Sequence, residues 1–262
     1  MMTNQNQTVL ITGATSGIGL ELARLFACDN YNMVIVSRDE ERLQEVAIEF
    51  QEMGAGRVTV IAKDLSMPNS AIEVYEETRN RNIHVDVLVN NAGMGEYGLF
   101  LETNLEKELS IIHLNIVSLV HLTKLYLKDM IAHDGEGRIL QLASIASYQP
   151  SPMLAVYAAT KAFILSFSDA IAEELRDTDV TVTSLIPGAT DTDFFYKAGM
   201  QHTKAAHDDP EDPRIVAEIG YEALIKGERH AYAPGARQIA AMSSLLSNQN
   251  VAKMVEKQMQ PA

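Results

Sequence analysis

Apolar and polar positions follow two periods along this chain, and their alternation predicts an α/β fold. Short apolar runs rich in β-branched residues recur between longer stretches of helical periodicity. Strands alternating with helices of this length favour right-handed βαβ units and a parallel sheet. We therefore expect a doubly wound, Rossmann-like parallel sheet of about seven strands with helices on both faces. The predicted strands are Thr8–Thr12, Met33–Ser37, Arg57–Ala62, Val85–Asn90, Arg138–Ala143, Val180–Ile186 and His230–Ala233, and the predicted helices are Ile18–Cys28, Asp39–Met53, Asn69–Arg81, Leu105–Ala132, Ala155–Asp177 and Pro213–Lys226.

A single domain is expected over residues 8–233, between a flexible N-terminus (1–7) and a C-terminal helical extension (234–262). Pro234 and Gly235 break the strand pattern, and apolar residues follow them at roughly helical spacing. This tail has four open interpretations: packing on its own domain, capping a pocket, forming a dimer contact, or lying against a membrane surface. We favour packing against the core or another subunit.

Composition and charge restrict the partners. The chain has 262 residues, is 47% hydrophobic and carries a formal net charge of -14. This balance argues against nucleic acid or an anionic membrane as the main partner, but leaves room for a phosphate-bearing ligand. The single cysteine, Cys28, excludes an internal disulfide, and its apolar helical surroundings predict a small buried side chain.

Targeting signals are not apparent. The segment from Met1 to Gln7 lacks a basic region and a long apolar run, so no signal peptide is expected. No stretch approaches about 18 uninterrupted apolar residues, so no membrane span is expected either. The default compartment is the cytoplasm.

Tyr157 and Lys161 are the first candidates for chemistry. In a helix they stand at positions i and i+4 and point the same way. An ammonium beside a phenol favours the phenolate, so we expect Lys161 to lower the pKa of Tyr157. Ser144, at the end of the preceding strand, offers a hydroxyl that can hold a carbonyl oxygen against that phenol. The pair alone is a weak signal, because Tyr and Lys four residues apart occur on many surface helices.

A glycine-rich turn follows the first strand in the segment Thr12–Gly19, with the spacing Gly-x-x-x-Gly-x-Gly. The glycines let the backbone turn tightly and approach a pyrophosphate, whose charge the following helix N-terminus favours. The spacing differs from the Gly-x-Gly-x-x-Gly of the standard dinucleotide fingerprint. An ordinary glycine-rich connection between strand and helix is the alternative.

These motifs together resemble the short-chain dehydrogenase/reductase family, in its single-domain type of roughly 250 residues. The resemblance rests on Thr-Gly-Ala-Thr-Ser-Gly-Ile-Gly, on Asn-Asn-Ala-Gly after the fourth strand, and on Ser144, Tyr157 and Lys161 in that order. It covers about Val9 to Ala233. It implies a nicotinamide dinucleotide cofactor and the catalytic set Asn115, Ser144, Tyr157 and Lys161, in which Asn115 helps to hold a water linked to the lysine. From the residues alone, Asn115 could equally be a satisfied core amide.

The second strand ends in Ser37 and Arg38, where a carboxylate would indicate NAD. A guanidinium there can pair with a 2′-phosphate, and Arg42 lies one helical turn further on. We therefore expect NADP(H) to be preferred over NAD(H). The alternative is that Asp39 caps the helix while both arginines are solvated and paired with neighbouring acids.

The resemblance implies the remaining cofactor contacts. An aspartate after the third strand meets the adenine amino group in the family, which points to Asp64 with Leu65. Asn91 is the better candidate of the two asparagines for contact with the cofactor, and Asn90 the more structural. The turn after the sixth strand lies beside the nicotinamide. The full predicted cofactor set is Gly13, Thr15, Ser16, Gly17, Ile18, Gly19, Ser37, Arg38, Arg42, Asp64, Leu65, Asn91, Ala92, Gly93, Tyr157, Lys161, Pro187, Gly188, Thr190 and Thr192.

A substrate pocket is expected above the strand ends, and the resemblance implies a substrate lid at residues 194–212, for which a flexible surface loop is the alternative. Ordinary packing beneath loops is an equally good interpretation of its aromatic residues. His113 and His121 share a helix without an acid or cysteine placed beside them, so no metal site is predicted. The predicted substrate residues are Met94, Tyr97, Tyr148, Met153, Phe194 and Phe195.

The resemblance implies an NADP-dependent carbonyl reductase or alcohol dehydrogenase acting on a small molecule, in a homodimer or homotetramer. Tyr157 would give a proton to the substrate oxygen, Ser144 would stabilise that oxygen, and Lys161 would hold the nicotinamide ribose. A 3-oxoacyl thioester reductase and a reductase of bulky apolar ketones remain open. An NADP-sensing regulatory scaffold is the alternative from another class.

Overall fold

The computed structural model describes residues 6–133 and 137–262, and within them seven strands form one parallel sheet. The strand order is β3-β2-β1-β4-β5-β6-β7. This confirms the predicted doubly wound, Rossmann-like fold, with strand ends displaced by at most two residues. The strands are β1 (Thr8–Thr12), β2 (Asn32–Ser37), β3 (Val58–Ala62), β4 (Val87–Asn90), β5 (Gly137–Leu142), β6 (Val180–Ile186) and β7 (His230–Tyr232).

Helices cover both faces of the sheet. Alternate residues of β1 show the two sides: Val9 and Ile11 belong to one apolar core, and Leu10 to the other. The first core packs beneath α1, α2 and α9, and the second beneath α3, α5 and α6. The helices are α1 (Gly17–Cys28), α2 (Glu40–Met53), α3 (Ser70–Asn80), α4 (Leu105–Ile112), α5 (Leu119–Ala132), α6 (Ala155–Glu174), α7 (Phe194–Lys197), α8 (Lys204–His207), α9 (Pro213–Lys226), α10 (Ala236–Leu245) and α11 (Asn248–Gln258).

The sheet order places a ligand crevice. β1 pairs with β2 on one side and with β4 on the other, so the direction of winding reverses beside β1. At such a switch point the loops leaving the strands diverge, and ligands bind at the carboxyl ends. The glycine turn leaves β1 at this edge, and the Asn90–Gly93 segment leaves β4 beside it.

The long helix predicted at Leu105–Ala132 contains a π-helical segment, His113–Ser118, between α4 and α5. Single π-turns inside α-helices are frequent at functional sites. Asn115 lies in this segment and is only 1% exposed. The widening accompanies the tertiary hydrogen bonds of Asn115, the residue at which the resemblance implies a bend in this helix.

The tail folds as two helices, α10 and α11, which pack on the domain. Val251 and Val255 of α11 join an apolar cluster with Leu154 and Met200. The chain end is tied to the lid: Lys204 N–H donates to the Gln260 carbonyl at 3.0 Å, and Thr203 pairs with Pro261 in an isolated bridge. The predicted flexible N-terminus falls mostly on residues 1–5, which lie outside the described residues.

Cys28 is exposed, so its predicted burial was wrong. It is the last residue of α1, and helical spacing places it on the side of Glu21 and Arg24, whereas Leu22 and Phe26 face the core. The side of the helix on which Cys28 lies thus decides its exposure, and the apolar character of the neighbouring sequence does not.

Two helical stretches are long and apolar enough to cross a membrane by composition alone, Leu105–Ala132 and Ala155–Glu174. Both cover the sheet, where Tyr126 of α5 and Ile164 of α6 are buried. A helix that packs on a sheet can meet the same criterion. The expected absence of a membrane span stays a prediction.

Candidate active site

One large cavity of about 950 Å³ opens at the carboxyl ends of the strands. It extends from the glycine turn and the end of β2 to the lid and the tail helices. Gly19 and Arg42 lie outside it. The predicted cofactor residues that line it are Gly13, Thr15, Ser16, Gly17, Ile18, Ser37, Arg38, Asp64, Leu65, Asn91, Ala92, Gly93, Tyr157, Lys161, Pro187, Gly188, Thr190 and Thr192.

The glycine turn requires glycine for conformation and for space. Gly13 and Gly17 have φ values of 70° and 55°, in the left-handed region. A Cβ on Gly17 would lie 2.9 Å from Cγ2 of Thr192, so the turn closely approaches the loop after β6. A Cβ on Gly19 would lie 2.2 Å from Nδ2 of Asn91. Gly19 therefore allows α1 to pack against the β4 loop.

Asn91 fixes the turn. Its Nδ2 donates to the carbonyl oxygens of Thr12 and Gly13 at 2.9 and 3.1 Å. The Thr12 hydroxyl in return accepts from the backbone N–H groups of Asn91 and Ala92. The Thr12 hydroxyl and the Asn91 amide thus hold the glycine turn against the loop after β4. Asn91 therefore has a structural role as well, the role that the sequence favours for Asn90.

The end of β2 carries a hydroxyl and a guanidinium. The Ser37 and Thr15 hydroxyls lie 3.2 Å apart, and Arg38 is exposed at the cavity. Burial acts to raise the pKa of Asp64, but hydrogen bonds from Ser66 and the Arg38 guanidinium outweigh it, and that pKa is lowered. Asp64 therefore remains a carboxylate facing the same region.

Arg42 is turned away from this region. Its Nη1 lies 2.7 Å from Oε2 of Glu45, and its backbone N–H donates to the capping carboxylate of Asp39 at 3.0 Å. For Arg42 this matches the alternative in which Asp39 caps the helix and the arginine pairs with a neighbouring acid. Its assistance to Arg38 stays a prediction. Arg38 remains the arginine at the cavity.

Ser144, Tyr157 and Lys161 meet at the end of β5. Ser144 caps a short 3₁₀ turn, Ile145–Tyr148, and its Oγ accepts from the Ala146 N–H at 3.1 Å. Tyr157 and Lys161 stand one turn apart in α6, with Nζ of Lys161 5.7 Å from the centre of the Tyr157 ring. Lys161 is 3% exposed, and its Nζ donates to the Leu142 carbonyl at 2.6 Å.

The pKa values differ from the sequence expectation. Burial raises the pKa of Tyr157 to about 12, while the neighbouring Ser144 hydroxyl acts in the opposite direction. Burial also lowers the pKa of Lys161 to about 7. The expected lowering of the Tyr157 pKa by Lys161 is therefore not observed, because desolvation disfavours both charged forms.

Asn115 joins the loop after β4 to α6. Its Oδ1 accepts from the Met94 N–H at 3.1 Å, and its Nδ2 donates to the Met94 carbonyl and to the Thr160 hydroxyl at 3.0 Å each. A Cβ on Gly93 would lie 3.4 Å from this Oδ1 and 3.6 Å from Nζ of Lys161. The Asn115 amide is thus fully satisfied and holds the loop against Lys161.

The predicted substrate residues divide into three groups, the third being Tyr148 alone. Met94, Phe194 and Phe195 line the cavity, and the Phe194 ring lies 5.0 Å from that of Tyr157. Tyr97 and Met153 pack behind the cavity in the apolar cluster of Leu154 and Val251.

Tyr148 points elsewhere: its hydroxyl lies 2.8 Å from that of Tyr232. Its predicted place in the substrate pocket is therefore not observed, because the 3₁₀ turn directs it towards β7. The adjacent Gln149 lines the cavity instead.

The tail helices form one wall of the cavity. The sequence had left four interpretations of the tail open, and capping a pocket was one of them. The apolar spacing in the tail was the available signal, but spacing does not identify the neighbour of a helix. Lys107 and Ser110 of α4 also line the cavity and had not been noticed. The lining residues of the tail are Ile239, Met242, Ser243, Leu246, Val251, Met254, Val255, Gln258 and Met259.

No group of three or more His, Cys, Asp or Glu side chains in the described part of the chain is arranged to hold a metal ion. The cavity itself presents hydroxyl, phenol, ammonium and guanidinium groups.

Comparison with known proteins identifies the class. The sequence profile of the short chain dehydrogenase family matches residues 7–203. An uncharacterised oxidoreductase of Staphylococcus saprophyticus is 30% identical over 86% of this chain and 93% of its own. The 17-beta-hydroxysteroid dehydrogenase type 3 of Mus musculus is 31% identical over 84% of this chain and 72% of its own. A short-chain dehydrogenase from Sphingobium yanoikuyae, solved in complex with NADPH, superposes with a TM-score of 0.82, 28% identity, and coverage of 91% of this chain and 93% of its own.

The doubly wound sheet and the family match define a nicotinamide-dependent oxidoreductase class. The chain belongs to the short-chain dehydrogenase/reductase family.

Proposed function

We propose that this protein is an NADP(H)-dependent oxidoreductase that interconverts a ketone or aldehyde and an alcohol, with Tyr157 as the general acid or base. The observation that carries the proposal is the position of Ser144, Tyr157 and Lys161. They lie at the carboxyl end of β5, in the cavity that begins at the glycine turn.

The residues present fit a dinucleotide. Gly13 and Gly17 form a cradle that a Cβ would obstruct, so a pyrophosphate can approach the backbone at the N-terminus of α1. Arg38 would hold the 2′-phosphate, Asp64 and Leu65 the adenine, and the segment from Pro187 to Thr192 the nicotinamide end. When bound, the nicotinamide supplies or accepts the hydride.

Tyr157 is suited to the acid role at neutral pH, because its raised pKa keeps the phenol protonated. In carbonyl reduction it gives this proton to the substrate oxygen, and in alcohol oxidation it takes the proton back. Ser144 donates a hydrogen bond to the same oxygen and stabilises the charge that develops there.

Lys161 and Asn115 support the proton path. Lys161 has a pKa lowered by burial to about 7, so it exchanges a proton readily near neutral pH. The Thr160 hydroxyl donates to the backbone carbonyl of Tyr157 at 2.7 Å and accepts from Asn115, which links Asn115 to the first turn of α6. The Lys161 ammonium would also bind the nicotinamide ribose hydroxyls.

NADP(H) is proposed over NAD(H) on the basis of Arg38 and Ser37. The end of β2 offers no carboxylate to a ribose 2′-hydroxyl, and Arg38 is exposed beside the cavity. Lys63 adds a second cation there, although its Nζ is 2.7 Å from Oε2 of Glu73.

An NADP-sensing scaffold is the rival from another class. It would not require a buried phenol and ammonium beside a hydroxyl at the cavity. The test is a panel of carbonyl compounds with NADPH and NADH, followed by the loss of reduced-cofactor absorbance. Turnover with a preference for NADPH supports the enzyme, whereas NADPH binding without turnover of any carbonyl supports the scaffold.

We also propose a cytoplasmic homodimer or homotetramer. Exposed apolar side chains on α4 and α6, including Leu109 and Phe163, support subunit contacts on that side. Light scattering of the purified protein measures the assembly, and a monomer at micromolar concentration would contradict it.

A further inference from the structure

We infer that the substrate is an uncharged carbonyl compound with a bulky apolar body, and that the tail helices α10 and α11 select it. The inference rests on the proposed function. It concerns the half of the cavity that lies beyond Tyr157, between the lid and the tail.

The wall formed by the tail is apolar. Met242 of α10 and Met254 of α11 both line the cavity and are 51% and 49% exposed. Methionine side chains adapt to irregular apolar shapes. Half-exposed apolar side chains around a cavity favour a ligand that removes their surface from water.

This wall is continuous with the site of proton transfer. Val251 and Val255 of α11 belong to the apolar cluster against which Tyr157 and Phe194 pack. A carbonyl held at Tyr157 therefore has its attached body directed along apolar side chains, rather than into water.

The charged groups of the cavity are already occupied or lie elsewhere. Lys107 is 3.7 Å from Glu96, and Lys197 is 3.1 Å from Asp193. Lys161 is bonded to Leu142, while Arg38 and Lys63 lie at the adenosine end. Within the described residues, the cations lining the cavity are Arg38, Lys63, Lys107, Lys161 and Lys197.

A carboxylate or phosphate on the substrate body would therefore compete with Glu96 and Asp193 for the two lysines nearest the lid, and would be desolvated against apolar side chains of the tail, which is costly. Asp208 also lines this half, and the protein carries a net charge of -14. Both oppose an anionic substrate. The substrate is thus a free, neutral carbonyl compound rather than an acidic thioester conjugate.

A neutral polar contact attaches the wall to the catalytic turn. Nε2 of Gln149 donates to Oγ of Ser243 in α10 at 3.0 Å, and Ser243 is 7% exposed. Gln149 follows the 3₁₀ turn that Ser144 caps. The Gln149 amide and the Ser243 hydroxyl are both neutral, so this contact adds no charge to the wall.

The test uses the full chain with NADPH and three ketones: acetone, benzophenone and para-benzoylbenzoate. The last two differ by one carboxylate, so their comparison isolates the cost of the charge. We expect kcat/KM for benzophenone to exceed that of each of the others by about tenfold or more. Equal or better turnover of acetone or para-benzoylbenzoate would overturn the inference.

Met254→Lys provides a variant that reverses the charge preference. We expect kcat/KM to fall about tenfold for benzophenone and to rise for para-benzoylbenzoate, because the carboxylate gains a cation. Met67→Lys is the matched control, since Met67 is 57% exposed and does not line the cavity. Equal changes for both ketones in Met254→Lys, or the same changes in Met67→Lys, would also overturn the inference.

The outcomes separate the two proposals. If acetone or para-benzoylbenzoate is reduced with a kcat/KM equal to or above that of benzophenone, the oxidoreductase proposal stands and the substrate inference fails. If NADPH binds and no ketone is reduced, the proposed function fails and the inference falls with it. Thermal melting and NADPH fluorescence of each variant establish that it is folded.

Discussion

The hydroxyl of Tyr97 donates a 2.7 Å hydrogen bond to the carbonyl oxygen of Met259. Tyr97 lies in the loop after β4, and Met259 is the C-terminal cap of α11. The bond therefore joins the loop beside the active site to the end of the tail. The Tyr97 N–H also donates to the Ala198 carbonyl in the lid at 2.9 Å. One residue thus contacts both elements that enclose the substrate half of the cavity.

Removing the Tyr97 hydroxyl should loosen the tail. A hydrogen bond of this kind contributes about 1 kcal/mol, which corresponds to roughly a fivefold change in binding. We expect Tyr97→Phe to raise the KM for benzophenone about fivefold and to leave the KM for NADPH unchanged. Steady-state kinetics with each substrate varied in turn measures both.

Tyr148→Phe is the matched control, because it removes the 2.8 Å contact with Tyr232 outside the cavity. If Tyr148→Phe and Tyr97→Phe raised the KM for benzophenone equally, the effect would reflect general loosening rather than the tail contact.

Gly95 allows Phe194 to lie on Tyr157. A Cβ at this position would be 2.9 Å from Cζ of Phe194 and 3.3 Å from Cδ2 of Tyr157. We expect Gly95→Ala to displace Phe194 and to lower kcat/KM for the ketone about tenfold, with little effect on NADPH binding.

Gly95→Ala should lower kcat/KM less in the Phe194→Leu background than in the wild type, because the ring that the new methyl group would crowd is gone. Strictly additive effects in this cycle would show that Phe194 does not mediate the change. Ketone reduction under kcat/KM conditions is the measurement for all three variants.

Arg38 should determine the choice of cofactor. We expect Arg38→Asp to raise the KM for NADPH at least tenfold while changing that for NADH much less, since an acid repels a 2′-phosphate. Arg42→Asp, one turn further on, should have a much smaller effect because Arg42 is paired with Glu45. Equal effects of Arg38→Asp on both cofactors would contradict the assignment of the 2′-phosphate to Arg38.

Lys161 should make the stability depend on pH. Burial lowers its pKa from 10.5 to about 7. Between these values the unfolded chain binds a proton that the folded chain lacks, so the free energy of unfolding rises with pH. Below about pH 7 both states hold the proton, and the full cost of the buried charge is present.

Denaturant unfolding from about pH 7 to about pH 10 measures this slope. We expect it to be reduced in Lys161→Met and retained in Lys253→Met, which replaces an exposed lysine of α11. An identical slope in the wild type and Lys161→Met would show that another group is responsible.

The sequence predicted what depends on local pattern. The β1 run and the glycine turn follow from neighbouring residues, because a buried parallel strand is continuously apolar and a phosphate turn excludes side chains. Ser144, Tyr157 and Lys161 were expected together because Ser144 ends a strand, Tyr157 and Lys161 stand at i and i+4 of the following helix, and the set resembles that of the family.

Two of the differences between expectation and structure are local: Glu45 lies three residues beyond Arg42 on α2, and helical spacing places Cys28 on the outer side of α1. Others depend on tertiary neighbours, as the contact of Tyr148 with Tyr232 of β7 does. The pKa of Tyr157 rose rather than fell because burial, which no spacing reveals, outweighed the effect of the nearby hydroxyl. The tail forms a cavity wall because α11 packs against Leu154 and Met200, and the tail's own sequence does not reveal these neighbours.

The most direct test of the account is the activity of Tyr157→Phe. This variant keeps the ring that packs on Phe194 and removes only the acidic hydroxyl. We predict that kcat for ketone reduction falls about a thousandfold, while the Kd for NADPH, measured by fluorescence titration, stays within about twofold of the wild type. Wild-type kcat in Tyr157→Phe would contradict the assignment of Tyr157 as the acid.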